Sequence, residues 1–444
     1  MPPGELLLEP EARARFAGDK WFASRVPDAV ALPRRAQSVA RILRFASTHR
    51  IPVTPRGAGY GYVGGCVPIR GGIALSVERM NRVLEINPRD FVGVVQPGVI
   101  TAEFQAAVEQ KGLYYPPDPA SRADCSLGGN IATNAGGPRC LKYGVTRDYV
   151  LGLEVATPDG RLLRLGSRTH KNKTGFDLHR LFVGSEGMLG VITEATLKLI
   201  PLPPCRAALA IGFARMTSAL RALSRMFECG FLPCAVEIAD AFTLRAARKR
   251  TGSRDLEGCE ALIITELDGQ ERSVRGEVRQ LERLMTSLRP VMVRRAHGAE
   301  ACERLWAVRR EFSYALRDTG LTKLNEDVVV PRGRLEDLFE LGARLQKKHG
   351  LPIACFGHAG DGNIHVNLMV DYDQPRAKRR ADAALDELFQ GVLKLGGVIT
   401  GEHGVGLAKK PWWRLAIAPE VDQLHRRIKR AIDPRGILNP GKFL

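Results

Sequence analysis

Two histidines in this sequence are spaced so that they could share a metal ion. His358 and His365 flank an Asp-Gly dipeptide at 361–362, which is the strongest short signal for a two-residue hairpin turn. With that turn, His358 faces His365, and directly opposed residues have Cβ atoms about 5 Å apart. Because side chains alternate along a strand, Asn367 joins the same face. The spacing therefore predicts an imidazole pair with an amide beside it.

A second motif, Gly401-Glu-His-Gly404, offers the missing metal ligand. Either Glu402 or His403 could complete the set with the two imidazoles. Zinc is commonly bound by imidazole and carboxylate groups, and manganese or iron accept similar ligands. The alternative interpretation is a solvated hairpin that carries two polar histidines.

Two glycine-rich segments, 56–65 and 126–137, form another candidate site. The first has five glycines followed by Pro68, a pattern that excludes the helix which a Rossmann dinucleotide site requires. Backbone N–H groups of such segments can still form a concave anion site, and small residues allow a ligand to approach closely. The pair predicts a long, phosphate-containing ligand; an ordinary surface turn is the alternative for the first segment.

Composition narrows the protein class and its partners. The 444 residues suffice for two or three domains, and the net charge of +18 is spread along the chain without a nucleic-acid motif. We therefore expect no nucleic acid partner, but attraction of an anionic substrate or an acidic membrane surface. The nine cysteines lack a Cys-x-x-Cys pair, which argues against an iron–sulfur cluster in this chain.

The chain shows no membrane span and no secretory signal at its start. We therefore expect a cytoplasmic protein, with peripheral contact to the inner membrane face as a further candidate. Pro201-Leu-Pro-Pro204 is the clearest domain boundary. After it, residues 207–296 follow a split β-α-β-β-α-β order with helices at 216–229 and 271–288, which is typical of a ferredoxin-like unit. Apolar spacing also predicts an amphipathic helix from Ala36 to Arg50, and a further strand is predicted at 397–400.

Several motifs occur in the order known from one protein family. They cover 55–61, 128–137, 173–178, 184–193, 357–365, 401–406 and 438–442. On these motifs the chain resembles the vanillyl-alcohol-oxidase-like (PCMH-type) FAD flavoproteins. Within that family it resembles the group of glycolate oxidase flavoprotein subunits, D-lactate dehydrogenases and D-2-hydroxyglutarate dehydrogenases.

The resemblance implies an α+β fold with a PCMH-type, two-subdomain FAD-binding domain and a ferredoxin-like cap. The implied boundaries are 1–204 for the FAD-binding domain, 205–430 for the cap and 431–444 for a tail returning to the FAD domain. The FAD is expected to be non-covalent, because the first glycine loop carries Tyr60 and Tyr62 where some relatives have an attachment histidine.

The implied FAD-binding residues come from both glycine-rich segments and from the tail. They are Arg56, Gly57, Ala58, Gly59, Tyr60, Gly61, Pro117, Asp118, Gly128, Gly129, Asn130, Thr133, Asn134, Gly136, Gly190, Ile192 and Asn439, with Lys442 returning towards the flavin.

The resemblance also implies an active site in the cap. The implied metal ligands, for a divalent ion expected to be zinc, are His358, His365 and Glu402. His403 is the implied general base.

Three further residues are implied to bind the substrate. Arg309 would anchor the substrate carboxylate, with Asn367 and Lys323 also in contact with the substrate. Relatives acting on 2-hydroxyglutarate have a lysine where this chain has Asn325. Lys323 lies two residues earlier, and the two-residue repeat of a strand keeps it on the same face. The alternatives are a helix-surface ion pair for Arg309 and a solvated strand position for Lys323.

The expected activity is FAD-dependent oxidation of a D-2-hydroxy acid to the 2-keto acid, assisted by the metal. Expected partners are the small anionic acid and an electron acceptor, either a protein or a quinone. An iron–sulfur partner subunit and a homodimer are further candidates. The alternatives are a flavoprotein subunit of a glycolate-oxidase-like complex, a non-redox flavoenzyme like alkylglycerone-phosphate synthase, and a basic binding protein without catalysis.

Overall fold

The computed structural model describes residues 4–252 and 256–444, which form two compact units. Unit 1 contains the residues up to Gly136, Gly144–Leu202 and Glu402–Leu444; unit 2 contains Gly137–Tyr143 and Pro203–Gly401. The predicted domain boundaries stay a prediction. The structure groups 402–430 with unit 1, where Val405 and Trp413 pack against Met188 and Phe443.

Unit 1 mixes short helices with strands. Its strands are β1 (Leu6–Leu7), β2 (Ala29–Ala31), β3 (Val53–Arg56), β4 (Ile73–Ser76), β5 (Val83–Asn87), β6 (Val92–Val95), β7 (Leu113–Tyr114), β8 (Val150–Ala156), β9 (Leu162–Gly166), β10 (Val191–Lys198) and β11 (Ile200–Pro201). Its α-helices are α1 (Pro10–Ala14), α2 (Ala36–His49), α3 (Thr101–Glu109), α4 (Leu127–Thr133), α6 (Leu178–Phe182), α13 (Trp413–Ala416) and α14 (Pro419–Ile432).

Two larger sheets organise unit 1. One has the order β1-β2-β4-β3, in which β4 runs parallel to β2 and β3. The other has the antiparallel order β5-β6-β10-β8-β9. The amphipathic helix predicted from residue 36 is α2, and its apolar face lies in a core with Leu75 and Val191.

The second glycine-rich segment is partly helical rather than a loop. Ser126 caps α4 because its side chain accepts a hydrogen bond from the Gly129 N–H. Asn134 ends the helix in the left-handed conformation, with φ of 52°, which asparagine tolerates better than most residues.

Unit 2 is built on one sheet. Its strands are β12 (Cys205–Phe213), β13 (Ala235–Asp240), β14 (Ala261–Gly269), β15 (Met292–His297), β16 (Thr322–Val329), β17 (Ile353–His358) and β18 (Asn363–Val370). Its α-helices are α5 (Cys140–Tyr143), α7 (Met216–Glu228), α8 (Ala241–Thr251), α9 (Glu271–Ser287), α10 (Ala299–Arg317), α11 (Leu335–His349) and α12 (Ala377–Lys394).

The sheet of unit 2 has the order β15-β12-β14-β13-β17-β18-β16 and is antiparallel throughout. Its first four strands have the order of a ferredoxin-like unit, which agrees with the predicted α+β fold of the cap. Helix α8 was not predicted. The predicted strand at 397–400 is wrong, because Val398 forms only an isolated bridge with Val329.

The turn between β17 and β18 depends on Gly362. Its φ is +86°, and a Cβ there would lie 2.0 Å from the carbonyl oxygen of Val330. A side chain at this position would therefore force the backbone to move. Neither a different rotamer nor a small relaxation would relieve the clash.

We predict that Gly362→Ala lowers the free energy of unfolding by about 1–3 kcal/mol because it adds both strain and this clash. Urea unfolding followed by tryptophan fluorescence measures the change. The control is Gly276→Ala inside α9, where nothing lies within 4 Å of the new Cβ. That variant should be more stable by up to about 1 kcal/mol; equal stability of Gly362→Ala and wild type would contradict the account.

Candidate functional site

The two histidines lie on neighbouring strands, but in a different register from the predicted one. His358 pairs with Asn363, and His365 pairs with Phe356. The predicted two-residue turn is therefore wrong, since residues 359–362 all belong to the connection. Asp361 shapes this longer turn by accepting a hydrogen bond from the Asn363 N–H at 3.2 Å.

The register shift leaves the two imidazoles close together. A shift of two residues keeps the same side chains on the same face, because the side-chain repeat of a strand is two. The ring centroids of His358 and His365 are 5.6 Å apart, and both residues are buried. Asn367 is on this face too, as predicted.

His358 and His365 form an imidazole pair that could hold a metal ion, and both lie in unit 2. Glu402, the predicted third ligand, belongs to unit 1, so the full ligand set stays a prediction. Glu402 directly follows Gly401, whose N–H donates to Asp327 at 2.9 Å. Asp327 is in turn the cross-strand partner of His365. Two imidazoles and one carboxylate fit a divalent zinc-type ion.

Arg309 is close to this group through a shared carboxylate. Its Nε donates to Glu237, which also contacts Nδ1 of His358. The Arg309 side chain is only 12% exposed, and its guanidinium lies over the Phe356 ring at 4.7 Å. The helix-surface ion pair considered for Arg309 is therefore wrong: the pair is buried.

The pKa of the Glu237 carboxyl is lowered despite its burial. Burial raises the pKa of its carboxyl, but Arg309 and His358 more than offset this effect and lower the pKa to about 2. Sequence reasoning missed Glu237, because it lies in a strand whose other residues at 235–239 are apolar and buried. Its inward-facing charge can be recognised only once its partners on α10 and β17 are known.

Lys323 lies on the strand next to Asn367. Its ammonium is half-buried and donates to the Ser313 hydroxyl at 2.7 Å, which argues against a freely solvated side chain. Burial, followed by the charges of Arg317 and Arg309, lowers the pKa of Lys323 to about 8.

Asn367 and Asn325 are direct cross-strand partners. The Asn367 amide nitrogen donates to the carbonyls of Ala354 and His365, which fixes its orientation. The Oδ1 atoms of both asparagines are buried and accept no hydrogen bond from the described residues. A bound group with hydrogen-bond donors would satisfy them.

His403 lies in a loop that is tightly held within unit 1. Its ring stacks on Tyr62, with centroids 5.2 Å apart and an interplanar angle of 25°. The carboxylate of Glu186 accepts hydrogen bonds from the Val405 and Gly406 N–H groups at 2.7 and 2.8 Å. Glu186 therefore fixes the loop that carries His403, a role that its motif alone did not indicate.

The two glycine-rich segments meet at Ser126 in unit 1. The Ala58 N–H donates to its hydroxyl at 3.2 Å, and a Cβ on Gly57 would lie 2.4 Å from that oxygen. At Gly59, φ is +77°. The structure thus brings together the segments predicted to hold FAD, and only glycine fits at their closest approach.

The other predicted FAD residues also lie in unit 1. Several make hydrogen bonds within the protein: Arg56 donates to the Gly18 carbonyl, Asn130 donates to Thr101, Thr133 donates to the Gly129 carbonyl, Asn134 accepts from Arg147, and the Pro117 carbonyl accepts from Gln105. Others are in close packing contact: Lys20 lies over the Tyr60 ring, Gly128 lies against Pro97, and Gly190 lies against Val155, which is the strand partner of Ile192. Asp118 is buried.

The tail contributes a buried polar group as well. Asn439 donates to the carbonyls of Gly65 and Glu186, while its Oδ1 is buried without a donor among the described residues. Lys442 donates to the Val67 carbonyl at 2.7 Å, and burial lowers its pKa to about 8. An acceptor oxygen held in this way fits a cofactor with hydrogen-bond donors, such as FAD.

Trp413 packs on Phe443 and donates to Asp422, so it belongs to the core of unit 1.

Every helix in the described part of the chain is too short or too polar to cross a bilayer.

Comparison with known proteins gives two family matches. The FAD binding domain model matches residues 27–166, and the model for the C-terminal domain of FAD linked oxidases matches residues 202–443. The matches fall on the regions that contain the glycine-rich segments and the imidazole pair.

Curated relatives align over nearly the whole chain. The glycolate oxidase subunit GlcD of Bacillus subtilis is 39% identical over 94% of this chain and 89% of that protein. D-lactate dehydrogenase of Anaerostipes hadrus is 33% identical over 99% of this chain and 95% of that protein. D-2-hydroxyglutarate dehydrogenase of Stutzerimonas stutzeri is 33% identical over 99% of this chain and 96% of that protein.

Solved structures share the fold at lower identity. p-Cresol methylhydroxylase has a TM-score of 0.81 at 19% identity, covering 99% of this chain and 93% of that one. Alkyldihydroxyacetonephosphate synthase has a TM-score of 0.77 at 21% identity, covering 100% of this chain and 83% of that one. Together with the family matches, these structures confirm the predicted PCMH-type fold: the chain belongs to the FAD-linked oxidases and is an FAD-linked oxidoreductase.

Proposed function

We propose that this flavoprotein oxidises a D-2-hydroxy acid to the corresponding 2-keto acid with the help of a divalent metal ion. The observation that carries the proposal is the buried imidazole pair of His358 and His365, in which His358 is joined to Arg309 through Glu237. The names of the relatives, which are glycolate, D-lactate and D-2-hydroxyglutarate enzymes, support this substrate class.

His358, His365 and Glu402 would hold the metal, with zinc as our first choice. A divalent ion held by these residues would act as a Lewis acid and make the substrate hydroxyl easier to deprotonate. Arg309 would bind the substrate carboxylate. Its Nε is engaged by Glu237, and its two terminal nitrogens bond to none of the described residues, so they can form a forked contact with two oxygens.

His403 is the proposed general base. A neutral imidazole can accept the hydroxyl proton as a general base. Stacking on Tyr62 restricts the orientation of the ring. The hydroxyl proton would pass to His403 and the Cα hydrogen would leave as a hydride, so that the acid loses two electrons.

FAD supplies the hydride acceptor when bound. Residues 56–61 and 128–136, together with Asn439, are the proposed contacts of this non-covalent cofactor. Gly57 lies so close to Ser126 that a Cβ would meet its hydroxyl oxygen, and glycine in such segments lets backbone N–H groups approach a pyrophosphate.

Asn367 and Lys323 are proposed to contact the substrate beyond its reacting carbon. Asn325 occupies the position at which 2-hydroxyglutarate enzymes have a lysine. This difference argues against a site for a second substrate carboxylate like the one in those enzymes. Lys323 nevertheless keeps a half-buried positive charge on the same strand face.

Assembly with a partner is a second proposal. The Bacillus subtilis relative is named as a subunit of glycolate oxidase, so an iron–sulfur partner could accept the electrons here too. Co-purification of a cysteine-rich protein with the tagged chain tests this idea. The non-redox synthase alternative rests on fold likeness alone, and the imidazole pair argues against it.

We predict that His403→Ala lowers the rate of flavin reduction by a D-2-hydroxy acid by about 10²–10⁴-fold, because the general base is lost. Anaerobic stopped-flow absorbance measures this rate, and the spectrum of the resting protein reports retained FAD. His425→Ala, which alters another ring contact of unit 1, is the control and should reduce normally. Near-normal reduction in His403→Ala would refute the assignment of the base.

We predict that His365→Ala loses its bound metal, because two ligands hold a divalent ion far more weakly than three. Metal analysis of the purified, FAD-loaded protein measures the stoichiometry. His297→Ala, which removes a histidine of β15 in the same unit, should retain the metal. A full complement of metal in His365→Ala would exclude this site.

A further inference from the structure

Glu237 is the charged group that connects the proposed metal site with the proposed substrate anchor. We propose that Glu237 is a positioning residue: its one carboxylate orients both the metal ligand His358 and the substrate anchor Arg309. The inference rests on the proposed function and adds a residue that the mechanism above does not use directly.

The two contacts use different oxygens of the same carboxylate. Oε1 of Glu237 meets Nδ1 of His358, and Oε2 accepts from Nε of Arg309. The Glu237 side chain is 1% exposed, so water does not compete for either oxygen. Neither partner can rotate without breaking a charge-assisted hydrogen bond in a buried environment.

The contact with His358 selects the form of the imidazole that can bind a metal. A carboxylate at Nδ1 favours the tautomer that carries its proton on that nitrogen, which leaves the Nε2 lone pair for a metal ion. Carboxylates that orient metal-binding histidines in this way commonly change metal affinity about 10–100-fold.

The contact with Arg309 aims the guanidinium. With Nε bonded to Glu237 and the plane resting on Phe356, the side chain has few remaining orientations. Its opposite edge carries the terminal nitrogens that a substrate carboxylate would use. Substrate binding and metal binding are therefore coupled through Glu237.

The backbone explains why both partners reach one residue. Glu237 and His358 are directly paired across β13 and β17, so their side chains share a face. Helix α10 brings Arg309 to this face, where Phe312 packs edge-on against Phe356.

A second buried glutamate provides a matched control. Glu266 on the adjacent strand β14 is also 1% exposed and is bonded to Arg139 and Trp306. None of its partners belongs to the proposed site. Loss of this charge should affect the stability of unit 2 without affecting metal or substrate binding.

The first experiment measures metal affinity without turnover. Zn²⁺ affinity of the full-length, FAD-loaded protein is determined by chelator competition for wild type, Glu237→Gln, Glu266→Gln and Arg309→Gln. We expect affinity to fall about 10–100-fold in Glu237→Gln and to stay within about threefold of wild type in the other two variants. If Glu237→Gln folds poorly, the double variant Glu237→Gln/Arg309→Met takes its place, because it also removes the guanidinium that would be left unpaired. It should show the same loss of Zn²⁺ affinity.

The second experiment separates KM from kcat with a D-2-hydroxy acid that reduces the wild-type flavin. KM should rise in both Arg309→Gln and Glu237→Gln, because the anchor is removed in one and misaligned in the other. Glu237→Asp, which keeps the charge on a shorter side chain, should recover part of the metal affinity that Glu237→Gln loses.

Wild-type metal affinity in Glu237→Gln, or an equal loss in Glu266→Gln, would overturn the inference. So would a wild-type protein that binds no Zn²⁺. If Glu237→Gln weakens Zn²⁺ binding but no hydroxy acid reduces the wild-type flavin, the link between Glu237 and the metal stands and the proposed activity fails.

Discussion

The two-residue repeat of β-strands is the constraint on which the proposed site depends. Side chains from β13, β16, β17 and β18 that share register positions project from the same face of the unit 2 sheet. Glu237, His358, His365 and Asn367 are all on that face. Because the repeat is strict, these four side chains are brought together on one surface although they come from three different strands.

Such a concentration of polar groups on a buried face is costly unless the groups satisfy one another. The structure satisfies most of them in pairs: Glu237 with Arg309 and His358, Glu266 with Trp306 and Arg139, Asn363 with Asp327. Among the described residues, the Oδ1 atoms of Asn325 and Asn367 accept no hydrogen bond. Unsatisfied acceptors beside an imidazole pair are what a site for a polar ligand requires.

Much of this architecture could be predicted from the sequence. Amphipathic helices such as α2 and α9 were placed to within about two residues, because their apolar spacing is regular. The hairpin register was wrong since the Asp-Gly signal favours a shorter turn than the one that forms. Glu237 was missed because its partners are 72 and 121 positions away along the chain, and no local pattern marks such a contact.

Reduction of the bound flavin by enantiomers of a 2-hydroxy acid tests the central claim most directly. The FAD-loaded, metal-replete protein is mixed anaerobically with D-lactate or L-lactate, D-2-hydroxyglutarate or its enantiomer, and glycolate, and the flavin absorbance is followed. The account predicts rapid bleaching by glycolate or at least one D-acid, slow or no bleaching by the L-acids, and loss of bleaching after chelation. Unchanged reduction in the chelated protein, or no reduction by any of these acids, would contradict it.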